Sequence, residues 1–434
     1  MRPPEPLPKA ASVACPPGAN GALPTIYGSA VSSVNILIVN ALYPPHRIGG
    51  AEKSVSLLAD GLARRGDRVT VATLDDIAAP TTERLATGVE VHRFPLDNIY
   101  WPYGKEVVDR SAIEGFRWHL RNSWNRRAAR RVGALMDTVR PDVIHCNVLT
   151  GFSNAVWSEA SRRGIPIVQT LRDYAVVCVR TSLFQHDTTC TKRCAECRLL
   201  TFPSKKASRQ VTELVSISHF VDAKHREFGF FEGVPGRRIF NIIPDPQRDD
   251  APPREGPLTF GYIGRVESGK GIEVVLDACA RLGRADWRLR VAGVGLASYV
   301  EDLRRRYPDP RIEWLGFADS TAFYESIDVA LISSIWPEPL TRTLIEATKF
   351  GRNVIAADSG GIPEIADLPR RSAVYPAYDS AALAAAMTTA IDARDDWRQG
   401  GVGRPDLLAA FSEEAVVAAY RDVFADAIAA RPAA

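Results

Sequence analysis

The chain has no uninterrupted apolar run of about 18 residues or more, which excludes a helix that crosses a membrane. Its first 33 residues are rich in Pro, Ala and Ser, with Arg2 and Lys9 as the only basic residues. They hold no apolar core fit for a signal peptide, so 1–33 is expected to be a flexible tail and the protein cytoplasmic. Cysteine is sparse and odd in number, seven in 434 residues, which argues against a secreted disulfide scaffold. Charge is nearly balanced, with 54 Lys and Arg against 51 Asp and Glu. A net charge of +3 does not mark a nucleic-acid partner, and no second basic tract or recognition motif supplies one.

What is present is a regular alternation of β-branched runs and amphipathic helices. Strands are expected at 34–39, 69–74, 89–93, 142–145, 165–170, 214–218 and 238–243. Between the first two, 51–65 places Val55, Leu58 and Leu62 on one helical face, and Gly66-Asp67 stops the helix. The segment 244–257 is polar and proline-rich, and reads as a linker. Beyond it the alternation restarts, with strands at 258–263, 288–292, 311–315, 329–332 and 353–357. Two α/β domains follow, 34–243 and 258–410, each with a parallel sheet covered on both faces. The end of the chain, 411–434, holds a helix expected to pack back across the domain junction. A cleft between the carboxyl ends of two such sheets is where ligands bind.

Two segments carry the chemistry of that cleft. In 261–273, Gly264, Gly269 and Gly271 surround Arg265 and Lys270. Glycines admit an oxyanion close to the backbone, and the two cations match a diphosphate, although a solvated glycine turn has the same composition. In 334–347, Pro337 and Pro339 bracket Glu338, while Thr341 is placed to cap a helix containing Leu344, Ile345, Glu346 and Ala347. Glu346 stands just over one turn in, within reach of vicinal hydroxyls; the competing account makes both acids surface charges. A third turn, 358–364, is another possible anion-facing helix start.

These residues resemble the retaining glycosyltransferases of family 4, often called glycosyl transferases group 1, across about 34–425. Glu338 and Glu346 match the family's pair of glutamates separated by seven residues. Gly261, Ile263, Gly264, Arg265, Lys270 and Gly271 match its strand-loop motif. The resemblance implies a GT-B fold, two facing Rossmann-like domains. It implies that Arg265 and Lys270 bind the diphosphate of a nucleotide sugar, that Glu346 binds ribose and that Glu338 meets the donor sugar. Gly49 and Gly50 resemble the loop that approaches the donor phosphates, and 315–317, ending in Phe317, the edge that lines the base. Arg342 and Thr343 fit the motif. Relatives commonly place Phe-Gly or Leu-Gly after Glu-Pro; Leu340-Thr341 stands here, which points to a different donor preference.

The first domain is expected to hold the acceptor. Residues 168–178 resemble a Gln-Thr-Leu-His-Asp-Tyr segment of bacterial polysaccharide members, with Arg172 at the histidine position and Asp173 after it. Asp173 either meets an acceptor hydroxyl or pairs with Arg172. His145, at a strand end, is a further cleft candidate, although a lone histidine there is more often structural. Cys178, Cys190, Cys194 and Cys197 are spaced to allow a structural zinc of four thiolates, with reduced or incidentally paired thiols as the alternative. From 117 to 140, seven arginines face one acid, Asp137, and alternate with Trp118, Leu120, Trp124 and other apolar residues. Such a helix suits an anionic membrane surface, or packs its apolar side on the sheet. The expected function is transfer of a sugar from a nucleotide-diphosphate sugar to a glycan or lipid-linked acceptor, peripheral to the inner membrane, with no obligatory cofactor. A non-catalytic binding protein of the same fold, or a phosphorylase or sugar-nucleotide hydrolase, is the competing reading.

Overall fold

A computed structural model describes residues 33–46, 49–104, 111–246 and 255–431. The expected tail up to residue 32, Cys15 within it, and 247–254 of the expected linker lie outside these residues. Strands β1 (Asn35–Val39), β2 (Arg68–Asp75), β3 (Thr81–Arg84), β4 (Glu90–Pro95), β5 (Val143–Cys146) and β6 (Ile167–Leu171) belong to the first sheet. A small hairpin follows, β7 (Phe184–Gln185) and β8 (Thr188–Thr189), before β9 (Glu213–Ser216) and β10 (Gly236–Arg238) complete that sheet. Its order is β10-β9-β6-β5-β1-β2-β4-β3, parallel except for β3 against β4. The second sheet contains β11 (Leu258–Ile263), β12 (Trp287–Ala292), β13 (Ile312–Gly316), β14 (Val329–Ile332), β15 (Asn353–Asp358) and β16 (Ser372–Pro376).

The second sheet is parallel throughout, in the order β13-β12-β11-β14-β15-β16. That order reverses between β11 and β14, so the loops leaving Ile263 and Ile332 diverge and open a crevice. The continuous apolar runs have the same origin in both sheets. Ile36 to Val39 are wholly enclosed because helices cover both faces. The last helix, Glu413–Ala429, returns to the first sheet, where Val417, Tyr420 and Phe424 join Ile36, Ile38, Val143 and Val168 in one core.

Three expectations change. The run expected as a strand at 238–243 shares only Arg238 with β10. The rest is a buried connection: Ile239 and Ile242 enter the core under the last helix, while Phe240 and Ile243 enter the neighbouring one. Phe240 stacks on Phe411 at 4.2 Å, which pins the return of the chain. The basic segment is two helices, Ala112–Ser123 and Arg126–Val139, because Asn125 caps the second by accepting from Ala128 N at 3.1 Å. Trp118, Val132, Leu135 and Met136 are buried, so most of the interleaved apolar residues are core. Strand β3 was not expected, since all four residues are exposed and lack an apolar face.

The helix Gly50–Arg64 approaches the last helix closely. A Cβ at Gly61 would lie 2.6 Å from Val417 Cγ2. Gly61→Leu is therefore expected to lower unfolding free energy by about 1–3 kcal/mol in urea titration. Val417→Ala in the same chain should restore part of it; an unmoved urea midpoint would contradict this packing.

Candidate active site

The loops that leave β11 and β14 are fastened to one another. Ile335 N and Trp336 N both donate to Gly269 O, at 3.0 and 3.2 Å, and Ser333 Oγ donates to Lys270 O at 2.9 Å. Gly271 has φ +69°, and a Cβ there would sit 1.9 Å from Ser333 O, so the approach needs glycine. The fastening brings Lys270 Nζ into a hydrogen-bonded ion pair with Glu338 Oε1. Ser334 Oγ and Trp336 Nε1 donate to the same oxygen at 2.8 and 3.1 Å, and the ammonium lies 5.0 Å from the Trp336 ring centre. Oε2 of Glu338 has no hydrogen-bond partner among the described residues.

The turn 358–364 supports this carboxylate from behind. Gly361 N donates to Glu338 O at 2.7 Å, and a Cβ on Gly360 would lie 2.1 Å from that oxygen. Its expected role at an anion gives way to a buttress. Glu364 accepts from His219 N at 2.9 Å and Phe220 N at 2.7 Å, at the start of the helix His219–Glu227.

Across the crevice stands the amino end of the helix Gly50–Arg64. Gly49, Gly50 and Glu52 line the same cleft as Gly264, Arg265, Lys270, Glu338, Leu340, Thr341 and Arg342. A Cβ on Gly50 would come within 3.8 Å of Arg342 Cδ. Helix-terminal amides carry partial positive charge, and here Glu52 Oε2 accepts from Gly49 N at 3.0 Å. Arg265 is largely exposed at the rim and pairs with Glu267 at 3.0 Å. Thr341 holds the N-cap position, but its hydroxyl contacts Thr343 Oγ1 at 2.8 Å rather than capping a backbone amide. Glu346 is drawn to Arg342 Nε at 2.6 Å and does not line the cleft. Phe317, 87% exposed, also lies off it.

Arg172 and Asp173 line the cleft from the end of β6 without pairing with each other. Arg172 Nε donates to Asn147 Oδ1 at 2.8 Å, and its other nitrogens reach Asn241 and the Tyr420 hydroxyl. Asp173 accepts from Ala175 N at 2.9 Å, and burial raises its carboxyl to about 6. His145 is not a cleft residue. It is fully enclosed, bonded to Thr170 Oγ1 at 2.8 Å and packed against Tyr420 and Phe424; burial holds it well below the usual histidine range. Cys178, Cys190, Cys194 and Cys197 surround one small cavity. Among the described residues, no three His, Cys, Asp or Glu side chains are arranged to hold a metal ion, so the expected zinc finds no support. Cys178 instead takes a hydrogen bond from Cys197, which lowers its pKa.

Sequence reasoning missed Tyr174, whose hydroxyl donates to Pro337 O at 2.7 Å and ties the end of β6 to the Glu338 loop. It also passed over Asn147 and Asn241, polar residues in segments without a motif, and Ser334 at the start of the 334–347 segment.

Comparison with known proteins agrees with this architecture. Residues 49–239 match the family model described as glycosyl transferase 4-like domain, and 257–393 the one described as glycosyl transferases group 1. The chain is 29% identical over 336 residues to an uncharacterised 42.6 kDa protein of the cps region of Klebsiella pneumoniae, covering 76% of this chain and 87% of that one. The crystal structure of Anabaena HepE with UDP and glucose superposes with a TM-score of 0.65 at 16% identity, over 90% of this chain and 99% of that one. Sucrose-phosphate synthase from Thermosynechococcus elongatus gives 0.70 at 20% identity, with the same coverage. The chain is a GT-B-fold glycosyltransferase related to group 1.

Asp173 generates a pH test. Folded, its carboxyl keeps a proton up to about 6, whereas an ordinary aspartate loses it near 3.8. The folded state binds more protons between these values, so the stability that Asp173 contributes falls as pH rises through them. Relative to wild type, Asp173→Asn should therefore gain on the order of 1–2 kcal/mol in unfolding free energy from about pH 4 to pH 7. A difference that is flat with pH would contradict the burial of this carboxyl.

Proposed function

We propose that the protein is a retaining glycosyltransferase that moves a sugar from a nucleoside diphosphate sugar to a glycan or lipid-linked acceptor in cell-surface polysaccharide synthesis. The observation that carries this reading is the Lys270–Glu338 pair, placed at the switch point of the second sheet and facing the helix start at Gly49–Gly50. HepE, which was solved with UDP and glucose, and the Klebsiella relative from a cps region support the substrate class and the setting.

A bound diphosphate competes with Glu338 for the Lys270 ammonium. The helix-terminal amides at Gly49–Gly50 and the rim guanidinium of Arg265 supply further positive charge. Glu338, with Oε2 already unpartnered, is then free to accept from hydroxyls of the donor sugar. Arg342 turning to a phosphate releases Glu346 for the ribose, and Phe317 offers a ring for the base. During transfer the anomeric C–O bond to the diphosphate breaks while the acceptor oxygen bonds on the same face. The departing phosphate oxygen takes the hydroxyl proton. Cationic groups positioned for the charge that develops on the leaving group lower the barrier without an obligatory divalent ion.

The helix Ala112–Ser123 supports a peripheral membrane role. Ile113, Phe116 and Leu120, at helical spacing, are exposed, as are Leu199 and Phe202 beyond the Ser123–Leu200 hydrogen bond. Exposed Arg117, Arg126 and Arg130 lie on the same two-helix segment. Apolar side chains beside arginines suit an anionic bilayer surface. Among the described residues, no helix is long and apolar enough to cross a membrane.

Two measurements follow. With sugar or lipid acceptor present, Glu338→Gln should lose turnover by about 100-fold or more while keeping most of its diphosphate affinity. Transfer at the wild-type rate would remove Glu338 from the site, and sugar release that needs no acceptor would favour a hydrolase. Separately, vesicles rich in anionic lipid should co-sediment the wild type but not the Phe116→Glu, Leu120→Glu double variant. Equal sedimentation would rule out this face.

A further inference from the structure

A second cavity lies within the first sheet's half of the molecule. Its walls are the loops after β5 and β6 and the helices Ala112–Ser123 and Ala195–Leu200. Asp173 and Thr181 line both this cavity and the cleft that holds Lys270 and Glu338, so the two spaces adjoin at these side chains.

The lining chemistry is specific. Among the described residues no Lys or Arg faces the cavity, and Asp173 is its single carboxyl group. Burial lowers the pKa of its one histidine, His119, which favours the neutral ring. Most of the remaining polar wall is hydroxyl and amide, including Asn122, Thr150, Asn154 and Ser204. Asn147 is the most telling of these. It is 4% exposed, its Oδ1 is taken by Arg172, and its Nδ2 donor has no hydrogen-bond partner among the described residues. An unpaired buried donor is costly unless a ligand meets it. A carboxylate that accepts and an amide that donates together match a hydroxyl group, which does both.

Resting on the transferase reading above, we propose that this cavity is the acceptor site and takes an uncharged sugar unit. Asp173 accepts from a hydroxyl beside the attacking one, whose own proton goes to the departing phosphate, and Asn147 Nδ2 donates to one of these two oxygens. An acceptor bearing a carboxylate or phosphate on that unit meets no cation among the described lining residues and is repelled by Asp173. Any charged portion of a larger acceptor has to lie outside, towards the arginines of the two-helix segment.

Saturation-transfer NMR on the full chain at pH 8, with matched p-nitrophenyl glucoside and glucuronide and galactoside and galacturonide, tests this. The expected result is saturable binding of a neutral member at least about tenfold tighter than its uronide. Asp173→Asn should narrow that ratio to about threefold or less. Thr150→Lys, which places a cation on the wall without touching the donor cleft, should reverse the preference. Nucleotide-sugar calorimetry on the same samples separates the two readings. If a donor binds but the uronide binds as well as its neutral partner, or neither binds, the acceptor assignment is overturned alone. If no donor binds, the transferase reading falls and the acceptor assignment with it.

Discussion

The contact between Lys270 and Glu338 is the constraint around which the rest of the site is arranged. Two opposite charges share a mostly buried position, and an unpaired charge there is costly, so removing one partner destabilises by several kcal/mol. Gly271, Gly360 and Gly361 sit where their backbones touch the Lys270 and Glu338 loops, and side chains would push those loops apart. On the proposed function, a diphosphate that displaces the carboxylate would gain the ammonium and the released carboxylate would gain sugar hydroxyls, so that binding and positioning would be coupled through one exchange of partners.

The same segment joins the two sheets. Tyr174 donates to Pro337 O, Ser218 Oγ donates to Pro339 O at 2.5 Å, and Glu364 meets the helix that follows Ser218. Residues 337–339 are therefore gripped from the first sheet while Glu338 itself points at Lys270 of the second. This explains why Asp173, one residue before Tyr174, stands where the donor cleft and the adjoining cavity meet. It also gives the last helix a role in the site, since Tyr420 reaches Arg172 while packing over His145.

Much of the fold was legible because buried parallel strands leave continuous apolar runs. Strands β11 and β14 were read to the residue. The misreadings have physical causes. The 239–243 run is apolar because it is buried between two cores, not because it pairs, and periodicity does not distinguish those cases. The break at Asn125 follows from a cap whose sequence signal is one residue in a basic helix. In the site, Lys270 and Glu338 were legible from glycine and proline punctuation around charge. His145 was misplaced because the sequence does not tell that Tyr420 and Phe424, nearly 300 residues on, would cover it. The four cysteines share a cavity as their spacing allows, with Cys197 in contact with both Cys178 and Cys194. The open acceptor of Glu338 and the unpartnered donor of Asn147 belong to tertiary geometry alone.

Calorimetric titration of the folded protein with UDP-, GDP-, ADP- and TDP-sugars tests the central claim most directly. The account predicts that one nucleotide sugar binds saturably to the wild type and that Lys270→Ala, shown to be folded by circular dichroism, loses it. Absence of binding across the panel, or binding that survives the loss of Lys270, would contradict it.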